Sequence, residues 1–441
     1  MRTESIQNNL RPYQEAGVGL MVAKAAMNRD VLLADEPGLG KTIQAIEYAN
    51  RTKPGTILVV CPASLRVNWN QELERWLQYQ PQVTVASYET VSAGKVEGSF
   101  DLIVFDEAHY MKNPAAKRTK ACLALKARRR VFMTGTPVVN RPIELFPILK
   151  AMGMKWSLQR FAQRYCAAYL QPIGWNPRTK RPRKMVWNYS GASNQAELGE
   201  ILRQRCMIRR TKAEVLTDLP AKVRQVIEVD APHGEGEGFR AAVSRMFTSL
   251  ETAADAAEVR RVAFEELSAA RLETGVRKVP HVVKMVKDIL EEEDKVFIVA
   301  HHRQVVNALA RALPGAVRIM GGMSDREKND AVLAFQKGDA PVLVGQITAA
   351  GVGLTLTAAA TVVFAETDWV PGNVTQAEDR CHRIGQDRTV RVIHVTLRDS
   401  MDARMIRAVV SKQETLDSIL VPGELPGNEV EEPEKKEWYD L

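Results

Sequence analysis

Short, β-rich and mainly apolar runs recur along the chain and alternate with segments of helical periodicity. In the first part of the chain these runs cover residues 31–34, 56–60, 83–86, 101–105 and 131–133. In the second part they cover residues 296–300, 317–320, 342–345, 361–365 and 390–396. Strands that are apolar on both faces are typical of parallel sheets covered by helices. Two such series predict an α/β protein with two parallel-sheet domains.

Between the two series, over residues 141–290, the strand pattern disappears and charged, helix-periodic segments replace it. We interpret this region as helical protrusions plus a linker. The predicted domains are residues 1–140 (first domain), 141–225 (its helical protrusion), 226–290 (linker and protrusion of the second domain) and 291–420 (second domain). Residues 421–441 are acidic and contain proline, and we expect them to form a disordered tail.

The net charge of +8 over 441 residues favours a polyanionic partner without identifying one. Five cysteines are scattered singly, without metal-site or disulfide spacing, which indicates a reducing compartment. No apolar run reaches the roughly 18 residues that a membrane span needs, and the N-terminus lacks a signal peptide. We expect no membrane partner, and a cytoplasmic location (nucleoid-associated or in an infected cell) or a nuclear one in a eukaryote.

The sequence DEPGLGKT joins an apolar strand to a helical pattern. The first N–H groups of a helix are unpaired and bind phosphate well. Gly38 and Gly40 would let the backbone approach closely, Lys41 would reach the β and γ phosphates, and Thr42 would ligate Mg²⁺. Asp35 stands where the strict pattern has glycine. For this motif alone, a plain turn between strand and helix remains the alternative.

A second strand ends in two acids, in the sequence DLIVFDEAH. Ligands of open parallel sheets bind at the carboxyl ends of the strands. Asp106 would therefore hold Mg²⁺, and Glu107 would polarise the attacking water as general base. A surface acid pair is the alternative for this motif in isolation, but its position after GLGKT favours an ATPase. The later turn TGTP would link nucleotide state to the rest of the domain.

The sequence QAEDRCHRIGQ carries two arginines in the second domain. Arg380 and Arg383 are three residues apart, so on a helix they share one face. Phosphoryl transfer needs positive charge at the γ phosphate, and an arginine from a neighbouring domain supplies it only when the domains close. The preceding turn, which includes Gly353, is suited to backbone contacts with phosphate. By itself, a solvated charged helix is the alternative.

In this order the motifs resemble the Swi/Snf-type ATPases of helicase superfamily two, from residue 8 to about residue 420. RPYQ resembles the adenine-reading motif of that family, DEPGLGKT its phosphate loop with proline where methionine is usual, and CPASLRVNW its DNA-tracking segment. QAEDRCHRIGQ and MIRRTKAEVLTDLPAK are especially specific. The nucleotide contacts that the resemblance and the motifs imply are Arg11, Gln14, Glu36, Gly38, Gly40, Lys41, Thr42, Gly353 and Gln376.

The resemblance implies two RecA-like P-loop domains with helical protrusions between them and ATP·Mg²⁺ in the cleft. It places DNA phosphates near Ser64, Arg66, Thr348 and Thr355. The implied function is a double-stranded-DNA translocase that remodels DNA or protein–DNA structures. NYSGASN, AHH and FAETDWVPG resemble the annealing-helicase branch.

Several alternatives remain open: a strand-separating helicase, the motor subunit of a larger DNA-processing complex, and a non-enzymatic DNA scaffold. Branched DNA is as compatible with the sequence as duplex DNA, and no protein partner is indicated. Because no substrate-recognition module precedes the motor, we expect a minimal motor of bacterial or viral origin.

Overall fold

The computed structural model describes residues 10–138, 141–176, 181–216, 218–230, 256–350, 354–368, 370–398 and 400. The strands are β1 (Val31–Leu33), β2 (Thr56–Cys61), β3 (Gln82–Ser87), β4 (Ser99–Asp106), β5 (Lys126–Met133), β6 (Tyr169–Asn176), β7 (Arg181–Asn188), β8 (Met207–Ile208), β9 (Lys222–Val229), β10 (Val296–Ala300), β11 (Val317–Ile319), β12 (Val342–Gln346), β13 (Thr361–Phe364) and β14 (Val390–Leu397).

The helices are α1 (Pro12–Ala26), α2 (Lys41–Thr52), α3 (Arg66–Trp76), α4 (Tyr88–Ser92), α5 (Lys117–Ala124), α6 (Phe146–Ala151), α7 (Leu158–Tyr165), α8 (Gln195–Arg205), α9 (Lys212–Val215), α10 (Ala256–Ile289), α11 (Arg303–Ala312), α12 (Asp325–Gln336), α13 (Ile347–Ala350) and α14 (Pro371–Glu378). Short 3₁₀ segments lie at Ala63–Leu65, Ala108–Met111 and Pro142–Leu145. Among the described residues, no helix combines the length and the apolar character that a membrane span requires.

Within the described residues, the strands form two six-stranded parallel sheets and one antiparallel hairpin. The first sheet, which defines lobe 1, has the order β3-β2-β4-β5-β1-β8. The second sheet, which defines lobe 2, has the order β11-β12-β10-β13-β14-β9. This confirms the prediction of two parallel-sheet α/β units. The P-loop strand β1 lies between β5 and β8, so its carboxyl end adjoins the ends of both.

Each sheet is covered on both faces, and this explains why its strands are continuously apolar. In β1, Leu32 packs into one core cluster while Val31 and Leu33 pack into the cluster on the opposite face. In β10, Phe297 and Val299 pack into a third cluster, while Val296, Ile298 and Ala300 pack into a fourth cluster on the opposite face. A strand that is buried on both faces has no place for polar alternation.

The region 141–290 differs from the all-helical expectation. Strands β6 and β7 pair as an antiparallel hairpin, β8 pairs with β1 at the edge of lobe 1, and β9 pairs with β14 over eight residues at the edge of lobe 2. Two of these strands lack a recognisable apolar run for physical reasons. Strand β8 has only two residues, and β9 is an edge strand in which polar side chains interrupt the apolar ones.

The predicted domain limits remain predictions, although β9 crosses the limit placed at residue 225. The basic sequence RTKRPRK lies partly outside the described residues, and its last residues belong to β7. The predicted acidic tail, residues 421–441, also lies outside the described residues.

We expect Ile298→Ala to destabilise lobe 2 by about 2–5 kcal/mol, because it opens a cavity in a fully buried central strand. The control is Leu333→Ala on α12, where the side chain is 45% exposed and the change should stay within roughly 0.5 kcal/mol. Urea unfolding followed by circular dichroism measures both. Equal shifts for the two variants would contradict the assignment of β10 to the core.

Candidate active site

The turn after β1 has the backbone geometry of a phosphate cradle. Gly38 and Gly40 have φ angles of +89° and +74°, which glycine adopts without steric penalty. A Cβ on Gly40 would lie 2.5 Å from Gln14 Nε2, and a Cβ on Gly38 would lie 2.8 Å from Arg383 Cβ. Helix α2 begins at Lys41 directly after this turn, so its unpaired N–H groups face the same space.

Side chains of the RPYQ segment form hydrogen bonds to this turn. Tyr13 Oη donates a hydrogen bond to the Leu39 carbonyl (3.1 Å), and Gln14 Nε2 donates to the same oxygen (3.2 Å). Gln14 Oε1 accepts from the Arg11 backbone N–H at 2.9 Å. Gln14 is buried and Arg11 is exposed. The structure therefore gives Gln14 a role in shaping the turn, and the adenine contacts of both residues stay predictions.

Lys41 lies where a phosphate-binding ammonium is expected, at the carboxyl end of β1. Its Nζ donates to the Asp35 carbonyl (2.7 Å) and to the Glu36 carbonyl (3.2 Å). Burial lowers the pKa of Lys41, and the charges of Glu107, Asp35 and Asp106 oppose that shift. The ammonium group thus lies among the acids of lobe 1. Thr42 follows it as the second residue of α2 and is half-buried.

The two predicted acids lie at the end of β4 and are held by different partners. Asp106 Oδ2 accepts from Trp69 Nε1 at 2.8 Å, and Asp106 Oδ1 accepts from the Glu107 backbone N–H at 3.0 Å. Glu107 has a φ of +49°. A left-handed residue other than glycine costs about 1–3 kcal/mol and is concentrated at functional sites. This strain supports a functional assignment for Glu107.

The environments of the two acids drive their pKa values apart. Burial raises the pKa of Asp106 to about 6, and the neighbouring Glu107 charge acts in the same direction. Burial acts to raise the pKa of Glu107 as well. The hydrogen bond and charge of His109, with the charges of Lys41 and Arg380, outweigh burial and lower the pKa to about 2. His109 Nδ1 lies 3.3 Å from Glu107 Oε2 and 3.1 Å from the hydroxyl of a threonine in TGTP. Glu107 is therefore ionised at neutral pH, and its role as general base stays a prediction.

Both arginines of lobe 2 reach the site of lobe 1. Arg383 packs against Gly38, and the charge of Arg380 acts on Glu107. Their Nη1 atoms share one acceptor, the Leu354 carbonyl, at 2.8 Å for Arg383 and 3.2 Å for Arg380. The structure thus brings the predicted cationic groups to the phosphate turn.

The segment that carries the arginines is not the helix that the sequence predicted. Helix α14 ends at Glu378, and turns follow over residues 379–386. Gln386 Nε2 donates to three carbonyls, those of Thr357, Ala359 and Cys381. The bond to Cys381 satisfies a backbone group within the arginine segment, and the other two join the segment to the loop before β13, so together they favour the irregular conformation.

Two predicted nucleotide contacts have other partners. Gln376 Nε2 donates across the lobes to the Thr136 hydroxyl at 2.9 Å. Glu36 Oε2 accepts from the Lys212 backbone N–H at 2.7 Å. Both residues therefore join parts of the protein, and a direct nucleotide contact for either stays a prediction. Gly353 lies outside the described residues.

The predicted DNA contacts are all exposed, but they do not share one environment. Ser64 and Arg66 follow β2 in lobe 1, and Thr348 lies on α13 in lobe 2. The Thr355 hydroxyl accepts a hydrogen bond from Arg383 Nη1 at 2.9 Å. Thr355 therefore lies beside the arginine segment, and the DNA roles of all four residues stay predictions.

Sequence reasoning missed the ion pair that anchors the phosphate loop. Asp35 is fully buried, and its Oδ1 accepts from Arg210 Nε at 2.9 Å. Gln44 Nε2 donates to its Oδ2 at 3.0 Å. The available signal was the departure from the strict glycine pattern, since an acid at the end of a buried strand needs a cation. Trp69 and Lys212 were missed as well, because their partners Asp106 and Asp379 are distant in sequence; His109, which lies beside Glu107, was also missed.

The chain matches the family described as "SNF2-related domain" over residues 13–98 and 80–276, and the "Helicase conserved C-terminal domain" over residues 280–385. It is 33% identical over 476 residues to the DNA annealing helicase and endonuclease ZRANB3 of Mus musculus, a match that covers 99% of this chain and 43% of that protein.

The chain is also 35% identical over 428 residues to the SWI/SNF-related matrix-associated actin-dependent regulator of chromatin subfamily A-like protein 1 of Xenopus tropicalis, covering 90% of this chain and 43% of that one. It spans less than half the length of these curated relatives. Its fold is similar to that of the Pyrococcus furiosus Hef helicase domain, with a TM-score of 0.53, 15% identity, and coverage of 90% of this chain and 97% of the other.

The family matches run along most of the chain and include the phosphate loop, the acid pair and the arginine segment. The two lobes are RecA-like, as predicted. The chain therefore belongs to the SNF2-related family, the Swi/Snf-type DNA-dependent ATPases of helicase superfamily two.

Proposed function

We propose that this chain is an ATP-driven translocase on double-stranded DNA, and that it remodels DNA or protein–DNA structures of the annealing or branch-migration kind. The observation that carries the proposal is the placement of Arg380 and Arg383 from lobe 2 at the phosphate turn and the general base of lobe 1. Hydrolysis then depends on how the lobes meet, and a cycle of closing and opening can move DNA held by both.

The residues at the end of β1 and β4 fit a nucleotide with Mg²⁺. Burial raises the pKa of Asp106, and the charge of the adjacent Glu107 raises it further, so a nearby cation would stabilise the ionised pair. Thr42 and Asp106 are oxygen donors of the kind that Mg²⁺ prefers, and they would hold the ion. When bound, Mg²⁺ would supply positive charge that offsets the negative charge of the phosphates. Lys41 and the N–H groups of the turn bind the phosphates themselves.

Glu107 acts as the general base in this proposal. Its carboxylate accepts a proton from the attacking water, and its low pKa keeps it ionised at neutral pH. Arg380 and Arg383 stabilise the charge that spreads over the γ-phosphate oxygens in the transition state. Leu10 and Ile43 line a cavity of about 410 Å³ beside the RPYQ segment, which offers room for the base end of the nucleotide.

The DNA partner is supported by charge and by the named activities of the relatives. A net charge of +8 suits a phosphate backbone, and phosphate contacts carry no sequence information, as a motor that passes over every sequence requires. ZRANB3 is named a DNA annealing helicase. Exposed Ser64, Arg66 and Thr348 are the proposed phosphate contacts.

Glu107→Gln should retain ATP binding and lose hydrolysis, because the amide cannot accept the proton of the attacking water. Filter binding of labelled ATP and phosphate release measure the two properties separately. Lys41→Ala is the matched variant for lost nucleotide contact. A Glu107→Gln protein that hydrolyses ATP near the parent rate would show that another group is the base.

Arg383→Ala should reduce the turnover number by roughly 10³-fold or more, the scale reported for arginine fingers, while ADP affinity changes little. Steady-state ATPase assays with saturating DNA and ADP titrations provide the comparison. Arg318→Ala, on β11 of the same lobe, removes an exposed arginine that binds Asn307 Oδ1 and should leave turnover near the parent value. Similar rates for both variants would reject the arginine assignment.

Duplex DNA should stimulate hydrolysis more than single strands do, and the logarithm of its binding constant should fall linearly with the logarithm of the salt concentration. Translocation should displace the third strand of a triplex in an ATP-dependent manner, with the Glu107→Gln variant as control. Efficient unwinding of a forked duplex without triplex displacement would instead identify a strand-separating helicase. Stimulation that appears only with a host extract would identify a subunit of a larger complex.

A further inference from the structure

Lys212 contacts both lobes at the point where the chain crosses between them. It follows β8 of lobe 1, and its backbone N–H donates to Glu36 Oε2 beside the phosphate turn at 2.7 Å. Its Nζ donates to Asp379 Oδ1 at 2.8 Å and to the His382 carbonyl. The residue is only 5% exposed. One lysine thus connects the phosphate loop with the segment that carries the arginines.

The acceptor side of this contact is a buried pair of carboxylates. Glu378 and Asp379 are 1% and 3% exposed. Lys222 Nζ, on β9, lies 2.9 Å from Glu378 Oε2 and 3.1 Å from Asp379 Oδ1. Arg224 makes a two-fold contact with Glu378. A buried carboxylate is strongly destabilising without a cation, so these contacts fix where the two acids lie.

The two acids are joined to the arginines through the backbone of the same segment. Asp379 immediately precedes Arg380, in a stretch of turns rather than a helix. The turns are held by backbone bonds from the N–H groups of Cys381 and His382 to the Glu378 carbonyl, so the position of the acids bears on where the arginines start. The connector is the segment between β8 and β9. His382, in the same turn as the arginines, places its Nε2 2.8 Å from the carbonyl of Pro220 in this connector. Together with the bonds of Lys212, this means that the connector contacts the arginine segment at several points.

We propose that Lys212 is a positioning residue for ATP hydrolysis, which orients Arg380 and Arg383 through Asp379 and relates them to the phosphate turn through Glu36. This inference rests on the proposed role of the two arginines. It assigns their alignment to the connector between the lobes rather than to lobe 2 alone. The lysine itself does not contact the reacting atoms.

Lys212→Met retains the length of the side chain and removes its charge. We expect the turnover number with saturating duplex DNA to fall by roughly tenfold or more, while KM for ATP stays within about threefold, because only the transition state needs aligned arginines. ADP affinity should be unchanged. The affinity for ADP with fluoroaluminate, which mimics the transferring phosphoryl group, should fall by a factor similar to that of turnover.

Asp379→Asn tests the same contact from the other side and retains the shape of the side chain. It should lower turnover and fluoroaluminate affinity in the same way, and the double variant with Lys212→Met should be no worse than the more severe single variant. Because Asp379→Asn leaves the lysine in place, it also decides the matter if Lys212→Met does not fold.

The matched control is Arg398→Met. It removes a half-exposed cation that pairs with Glu228 and Asp230 at the end of β9, and it should leave turnover unchanged. Equal losses of ADP and fluoroaluminate affinity in Lys212→Met, accompanied by a lower unfolding midpoint, would assign it a structural role only and overturn the proposal. Unchanged turnover in both variants would do the same. If Arg383→Ala itself kept its turnover, the fault would lie in the arginine assignment instead.

Discussion

The arrangement of the two lobes depends on the neutralisation of carboxylates that are buried beside the connector between β8 and β9. Asp35 lies two residues after β1 and is paired with Arg210, while Asp379 directly follows α14 and is paired with Lys212. Removing one partner from such a pair leaves an uncompensated charge, which destabilises by about 3–5 kcal/mol. Because both cations lie on the connector after β8, the same few residues are bound to each lobe, and the path of the chain between the lobes is thereby determined.

The nucleotide site follows from this arrangement. The loops that follow parallel strands all lie at the carboxyl edge of the sheet. The phosphate turn after β1 and the acid pair after β4 are therefore neighbours. The groups of lobe 2 arrive only where the lobes touch, as the hydrogen bond from Gln376 to Thr136 illustrates. Chemistry is thus divided between a preorganised half and a half that depends on interlobe contact. Such a division suits an enzyme whose turnover must be coupled to movement along a polymer.

The sequence was most informative where one physical rule acted alone. Strands buried on both faces must be apolar throughout, so the strands from β1 to β5 and from β10 to β14 could be located. The roles of Lys41 and Glu107 could be proposed because phosphate chemistry needs those groups at strand ends. Edge strand β9 was missed because an exposed edge tolerates polar residues. The partner of Asp35 was missed because it lies 175 positions away in the chain, and no local pattern encodes such a pairing.

Among the described residues, the backbone passes from lobe 1 to lobe 2 once, between β8 and β9. A tether this short keeps the two halves of the site at an effective concentration of at least the order of millimolar. Any closure of the lobes is consequently a unimolecular event, and its entropic cost is far below that of associating two separate chains. In the proposed cycle, small differences in how ATP and its products interact with the two halves would then be sufficient to shift the balance between open and closed arrangements.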